Sequence, residues 1–139
     1  MNNDVTLTAE DALVALMITV SAADSDIRTA ELIKISNAIN MLPVFAAYDE
    51  EHLPRVSKTV FDLLDKEDGL EALFDIIRAS LPEKLFETAY ALSCDVAAAD
   101  GRIAGAEARM LEEIREELNL DRLHAAAIER GSRARHMTL

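Results

Sequence analysis

The sequence has 139 residues, half of them hydrophobic, with only four glycines, three prolines and six aromatic residues. Its formal net charge of −12 at pH 7 disfavours nucleic acids and anionic lipid surfaces, because an acidic body repels phosphate groups. The single cysteine, Cys94, excludes an internal disulfide and a cysteine-based metal site within one chain. The length predicts one domain over 1–139, and the abundance of alanine, leucine and glutamate predicts an all-α fold.

Apolar residues recur at helical spacing along most of the chain, and we expect about seven helices and no strand. The first two helices are expected at 8–24 and 29–41, and the third starts or kinks near 54 and ends near 66. The fourth starts at 68, the fifth and sixth span 82–99 and 106–118, and the seventh starts at 121. A frayed tail is expected at 132–139. Thr8 with Asp11, and Asp68 with Glu71, have the spacing of a capping box, and Asp121 is expected to cap the last helix.

Two stretches of the chain, 15–42 and 91–118, are similar when offset by 76 residues. Most of the shared positions are apolar and specify packing. Two shared positions in each copy are acidic and lie seven residues apart, namely Asp24 and Glu31 in the first copy and Asp100 and Glu107 in the second. We therefore expect two pseudo-symmetric helix–loop–helix repeats, about 9–42 and 83–118, packed in one bundle around a pseudo-two-fold axis.

The four shared acids allow two interpretations. In the first, Glu31 and Glu107 favour helix starts through the helix dipole, while the two aspartates bind turn amides. In the second, Asp24, Glu31, Asp100 and Glu107 converge, and their mutual repulsion requires a cation or a bound proton. Ligands that are all oxygen indicate Ca²⁺ or Mg²⁺, with Mn²⁺ also compatible. An EF-hand is excluded, because the loop after Asp100 lacks oxygen ligands at alternate positions.

Other catalytic chemistry is sparse in the sequence. His52, His124 and His136 have no companion at metal-ligand spacing, and no phosphate-binding loop or nucleophile elbow is present. We therefore expect no enzyme, with metal-assisted hydrolysis by the paired carboxylates as the remaining enzymatic alternative. Cys94 is expected to be a buried small residue, and Asp95 to be solvated or capped by a nearby arginine.

The repeated unit reads as an apolar helix, Ala-Ala-Asp, a short turn, an isoleucine, and then a glutamate opening the next helix. The second copy, AAADGRIAGAE, is the clearer one. This unit resembles the TerB family, which is linked with bacterial tellurite resistance, over most of the chain. The resemblance implies an all-helical, non-enzymatic domain that binds a divalent cation through its acids. It also implies that the domain acts within membrane-associated or stress-response complexes. Similar domains also occur appended to chaperone-related proteins.

The sequence departs from the family pattern at two kinds of position. Ser25 replaces the turn glycine of the first copy, and a serine adopts a positive φ only at some cost. Arg28 and Ala104 stand where the family often has a serine or threonine three residues before the glutamate. A reciprocal capping box in the usual register is therefore not expected.

The sequence therefore predicts a TerB-like binding domain for a protein partner, with a divalent cation at Asp24, Glu31, Asp100 and Glu107. The alternative is a metal-free interaction module or chaperone-associated adaptor that meets a basic partner through an acidic helix face, formed by Glu112, Glu113, Glu116 and Glu117. The longest apolar run is far too short to span a membrane, and the first residues carry no basic signal sequence, so we expect a cytoplasmic protein without direct membrane insertion.

Overall fold

The computed structural model describes residues 6–24, 27–101, 103 and 105–139. Over these residues the chain forms seven α-helices: α1 (Ala9–Ala22), α2 (Thr29–Met41), α3 (Leu53–Leu64), α4 (Gly69–Ser80), α5 (Phe86–Ala97), α6 (Gly105–Glu117) and α7 (Arg122–Arg135). Short 3-10 turns lie at Pro43–Phe45, Glu50–His52 and Glu83–Leu85. The described residues contain no strand, which confirms the predicted all-α bundle.

α1 is the central helix of the bundle. Every side chain from Asp11 to Ser21 is buried, and α1 packs against α2, α3, α4, α5 and α6. A helix enclosed on all sides needs apolar residues around its whole circumference, and α1 has this composition. Its most extensive contact is with α5, which packs equally closely against α7. The first helices of the two sequence repeats therefore meet in the core, while the pseudo-two-fold axis stays a prediction.

Two predicted caps are confirmed. Thr8 Oγ1 accepts a hydrogen bond from the Asp11 amide at 3.0 Å, and Asp11 Oδ2 accepts one from the Thr8 amide at 3.3 Å. The Asp121 carboxylate accepts from the amides of Leu123 and His124 at 2.9 and 3.0 Å. These side chains satisfy amides that have no partner within their own helix.

The connection into α3 resolves an alternative that the sequence left open. A 3-10 turn at Glu50–His52 precedes α3, and the α-helix begins at Leu53 with Pro54 in its first turn. Proline is tolerated there because the amide it lacks would have had no partner within the helix.

Two expectations about helix ends are wrong. Asp68 does not cap α4 with its side chain, because its backbone lies in the left-handed region at φ 60°. The tail does not begin at 132, because α7 continues to Arg135 and buries Ser132. Arg135 Nη2 lies 2.7 Å from Asp95 Oδ1, so the predicted arginine partner of Asp95 is confirmed and anchors the last turn of α7 to α5.

None of the helices in the described part of the chain combines the length and the apolar character needed to cross a bilayer.

Candidate functional site

The two glutamates shared by the repeats both lie at the start of a helix in the bundle interior. Glu31 is in the first turn of α2 and Glu107 is in the first turn of α6. Both side chains are 0% exposed. A carboxylate is rarely buried to this extent unless it is paired or protonated, so the surroundings of these two side chains decide what the site does.

Arg28 joins three of the four predicted acids. Its guanidinium Nη2 lies 3.0 Å from Glu31 Oε2 and 2.7 Å from Glu107 Oε1. Its Nη1 donates a hydrogen bond to Asp100. Arg28 and Glu31 belong to the first repeat, whereas Asp100 and Glu107 belong to the second, so one side chain links the two repeats. We call Arg28, Glu31, Asp100 and Glu107 the Arg28 cluster.

The fourth predicted acid, Asp24, is half-buried in the turn that follows α1 and takes part in a polar interaction of its own. Among the described residues, no hydrogen bond or ion pair joins Asp24 to Arg28. The structure thus brings Glu31, Asp100 and Glu107 together around one guanidinium, and the contribution of Asp24 to the site stays a prediction.

Arg28 is also the residue before α2, in the position of an N-cap. Glu31 Oε1 accepts a hydrogen bond from the Arg28 amide at 3.4 Å, which is one half of a capping box. A guanidinium has no acceptor and cannot complete the other half. The side chain of Arg28 is instead directed at the carboxylates.

The protonation of Glu107 follows from its surroundings. Burial raises the pKa of Glu107 most, the adjacent Glu31 carboxyl raises it further, and Arg28 lowers it, which leaves the pKa at about 8. Although partial burial lowers the pKa of Arg28, the three carboxylates raise it overall and keep the guanidinium charged. At neutral pH Glu107 therefore carries a proton in most molecules. Its carboxyl hydrogen-bonds the Glu31 side chain, and its Oε1 contacts Arg28.

The Arg28 cluster does not fit a divalent cation in this arrangement. The described residues contain no group of three or more histidine, cysteine, aspartate or glutamate side chains placed to hold a metal ion. The guanidinium lies between the carboxylate oxygens, which a metal ion would have to contact directly at about 2.0–2.6 Å. Cation binding by these acids stays a prediction, and it requires Arg28 to move away.

The predicted acidic face of α6 is present in part. Glu112, Glu113 and Glu116 are exposed. Glu117 is half-buried and forms an ion pair with Arg78 of α4, so it contributes to helix packing rather than to a free surface.

A cavity of about 420 Å³ lies between α5, α6 and α7. Three of its ionisable side chains bond to one another: Tyr90 donates to Glu129, and Arg115 Nη1 lies 2.6 Å from Glu129 Oε2. Burial raises the pKa of the Cys94 thiol to about 12, so this predicted buried cysteine is not a thiolate nucleophile at neutral pH. The cavity wall therefore offers mainly apolar surface.

Sequence reasoning missed Arg28 as the centre of the cluster. The available signal was its position three residues before Glu31, where it departs from the serine or threonine of the resembled family. Its other partners are 72 and 79 residues away in sequence, so no local pattern could have indicated them.

Comparison with known proteins identifies the family. The model of the family described as tellurite resistance protein TerB matches residues 10–130, which covers all seven helices except the first residue of α1 and the last five residues of α7. No curated protein and no solved structure gives a significant match. The chain belongs to the TerB family of tellurite resistance proteins.

Proposed function

We propose that this chain is a non-enzymatic TerB domain that acts by binding a protein partner in a cytoplasmic response to tellurite or related stress. The observation that supports this proposal best is that three of the acids shared by the repeats, Glu31, Asp100 and Glu107, are bonded to Arg28 rather than available to a substrate. Family membership supplies the link with tellurite.

The non-enzymatic part of the proposal rests on the burial of the two glutamates. A general base or acid must lie within hydrogen-bond reach of the substrate proton it transfers. Glu31 and Glu107 are 0% exposed, and Arg28 covers their carboxylates from the solvent side with a side chain that is 28% exposed. A substrate would have to displace an ion-paired arginine before reaching either glutamate.

The proposed partner surface is the exposed part of the acidic helix face, which we define as Glu112, Glu113 and Glu116 on α6. Carboxylates that share one helix face and have free rotamers favour a basic protein surface through complementary charge. Such contacts steer association and weaken as salt screens them. The partner is therefore a protein with a basic patch, and its membership of a membrane-associated complex is compatible with this surface.

A divalent cation at Asp24, Glu31, Asp100 and Glu107 is the second candidate. It is favoured by the convergence of three carboxylates on one guanidinium, because the negative charge exceeds the positive charge. If such an ion gated the partner surface, partner binding would depend on chelator.

Capture of a partner by the purified chain tests this proposal. The bait is the wild-type chain, the prey is a lysate of tellurite-treated cells, and capture is measured both with and without chelator. We expect a salt-sensitive partner that is lost when Glu112, Glu113 and Glu116 are all replaced by glutamine. The matched control replaces three exposed acids elsewhere, Glu67, Glu71 and Glu83, with the same change in charge.

Three outcomes would overturn parts of the proposal. Equal capture by the two triple variants would remove the α6 face as the partner surface. Loss of capture on chelation would favour the cation candidate. Phosphoester hydrolysis that disappears in Glu107→Gln would show that the domain is an enzyme.

A further inference from the structure

The position of Arg28 has a consequence for the cation that the family resemblance implies. Arg28 comes from the connection between α1 and α2, whereas Asp100 and Glu107 come from the connection after α5 and the start of α6. The guanidinium therefore lies between the two helix–loop–helix units, with carboxylate oxygens on both sides.

A guanidinium and a divalent cation cannot use these oxygens together. Nη2 alone contacts Glu31 Oε2 at 3.0 Å and Glu107 Oε1 at 2.7 Å. A hard divalent cation needs six or more oxygen ligands at close range and would have to bind the same atoms. A positive charge a few ångströms away would also repel it. Occupancy by one excludes the other.

The carboxyls of Glu31 and Glu107 lie against each other as well as against Arg28. Both are 0% exposed, and the Glu107 carboxyl hydrogen-bonds the Glu31 side chain while its Oε1 contacts Arg28. Without the guanidinium, two adjacent buried carboxyls would have no positive charge between them, and a bound cation would relieve their repulsion.

The two repeats differ at the position of Arg28. The equivalent position in the second copy, 76 residues later, is Ala104. A serine or threonine, which the resembled family often has there, carries no charge. Arg28 supplies one positive charge at this place, and because it is tethered to the chain it requires no ion from solution.

We infer that Arg28 is the resident cation of this chain, that it takes the place of a divalent ion between the repeats, and that removing its guanidinium converts the Arg28 cluster into a divalent-cation site. This inference concerns the acids only. It opposes the cation candidate for the unaltered chain and is independent of the α6 partner surface, so the inference and that surface can fail separately.

Titration with Mn²⁺ tests the inference, with the free ion measured by electron paramagnetic resonance and the bound ion counted by native mass spectrometry. The full chain is compared with Arg28→Ala and with Arg28→Ala combined with Glu107→Gln, the matched control that removes one carboxylate. We expect no stoichiometric binding to wild type at millimolar Mn²⁺. We expect one ion per chain in Arg28→Ala, with affinity at least about a hundredfold higher than in wild type, because a nearby unit charge no longer repels the ion. The control should lose most of that affinity.

Thermal unfolding provides a second measurement. Mn²⁺, Ca²⁺ or Mg²⁺ should raise the Tm of Arg28→Ala and leave the wild-type Tm unchanged, because a ligand that binds only the folded state stabilises it. If Arg28→Ala is unfolded without metal, Arg28→Met keeps the apolar stem and serves in its place, and folding on addition of metal is followed by circular dichroism. Stoichiometric metal binding by wild type, or none by either folded arginine variant, would overturn the inference.

Discussion

Replacing Glu107 by glutamine is expected to remove a pH dependence of folding that a single buried carboxyl imposes. The pKa of Glu107 is raised from 4.5 to about 8, mainly by burial and then by the Glu31 carboxyl. A carboxyl whose pKa is higher in the folded state binds its proton more tightly there than in the unfolded chain. Its contribution to stability is complete below pH 4.5 and is lost as the pH rises towards 8.

The size of the effect follows from the same shift. Each pH unit between the two pKa values changes the free energy of unfolding by about 1.4 kcal/mol. Between pH 5 and pH 7 the wild type should therefore lose about 2–3 kcal/mol through Glu107, a large part of the stability of a domain of this size. A glutamine has nearly the same shape, does not titrate, and keeps an oxygen that accepts from Arg28.

Urea unfolding followed by circular dichroism between pH 5 and pH 9 measures this difference. The wild-type free energy of unfolding should fall relative to that of Glu107→Gln across pH 5–8 and run parallel to it above that range. Glu67→Gln, which changes an exposed acid, should track the wild type at every pH. A constant offset between wild type and Glu107→Gln over pH 5–8 would refute the assignment of a bound proton to Glu107.

Substitutions at four further positions test local packing and backbone geometry, each by urea unfolding at pH 7. Asp11→Ala should lower the free energy of unfolding by about 2–4 kcal/mol, because Asp11 closes the α1 capping box and accepts a hydrogen bond from Tyr48 Oη at 2.8 Å. Tyr48→Phe, which removes only the second of these bonds, should lower it by about 1 kcal/mol. Equal losses would mean that the cap contributes nothing. Gly69→Ala should cost at least about 2 kcal/mol, since its Cβ would lie 1.7 Å from the carbonyl oxygen of Leu63, and a neutral result would show that the α3–α4 turn yields freely. Asn119 has a left-handed backbone at φ 50°, which glycine adopts more readily than alanine. Asn119→Gly should therefore be neutral or stabilising, and Asn119→Ala should lower the free energy of unfolding by about 1 kcal/mol. The reverse order of the two variants would contradict this reasoning.

Helix positions could be predicted from the sequence because apolar spacing depends on which face each segment buries. The spans of α2 and α6 agree with expectation to within about a residue, which is the usual uncertainty of helix ends.

Asp68 shows where a local sequence pattern fails to predict a helix cap. Its spacing to Glu71 suits a cap, but the close approach of Gly69 to the Leu63 carbonyl accompanies a left-handed backbone at Asp68. That contact joins two residues across the α3–α4 turn, and the spacing of Asp68 to Glu71 carries no information about it.

The same distinction applies to the site. The repeat identified Glu31, Asp100 and Glu107 correctly as acids that lie together, because equivalent positions in two copies tend to meet when the copies pack. It also included Asp24, which the described contacts do not join to Arg28. The group that neutralises these acids is a single long side chain, Arg28. Its direction could not be predicted, because the sequence is equally consistent with an Arg28 side chain that points into solvent.

Charge balance explains why one arginine is not sufficient by itself. The Arg28 cluster has three carboxyl groups and one guanidinium, and two of the carboxyls are fully buried. A proton on Glu107 supplies a second positive charge, so guanidinium and proton together match the charge of one divalent ion. Asp100 lies at the rim, keeps contact with solvent and takes part in a further polar interaction. The guanidinium and the proton on Glu107 together leave the two buried carboxyl groups, Glu31 and Glu107, without net negative charge.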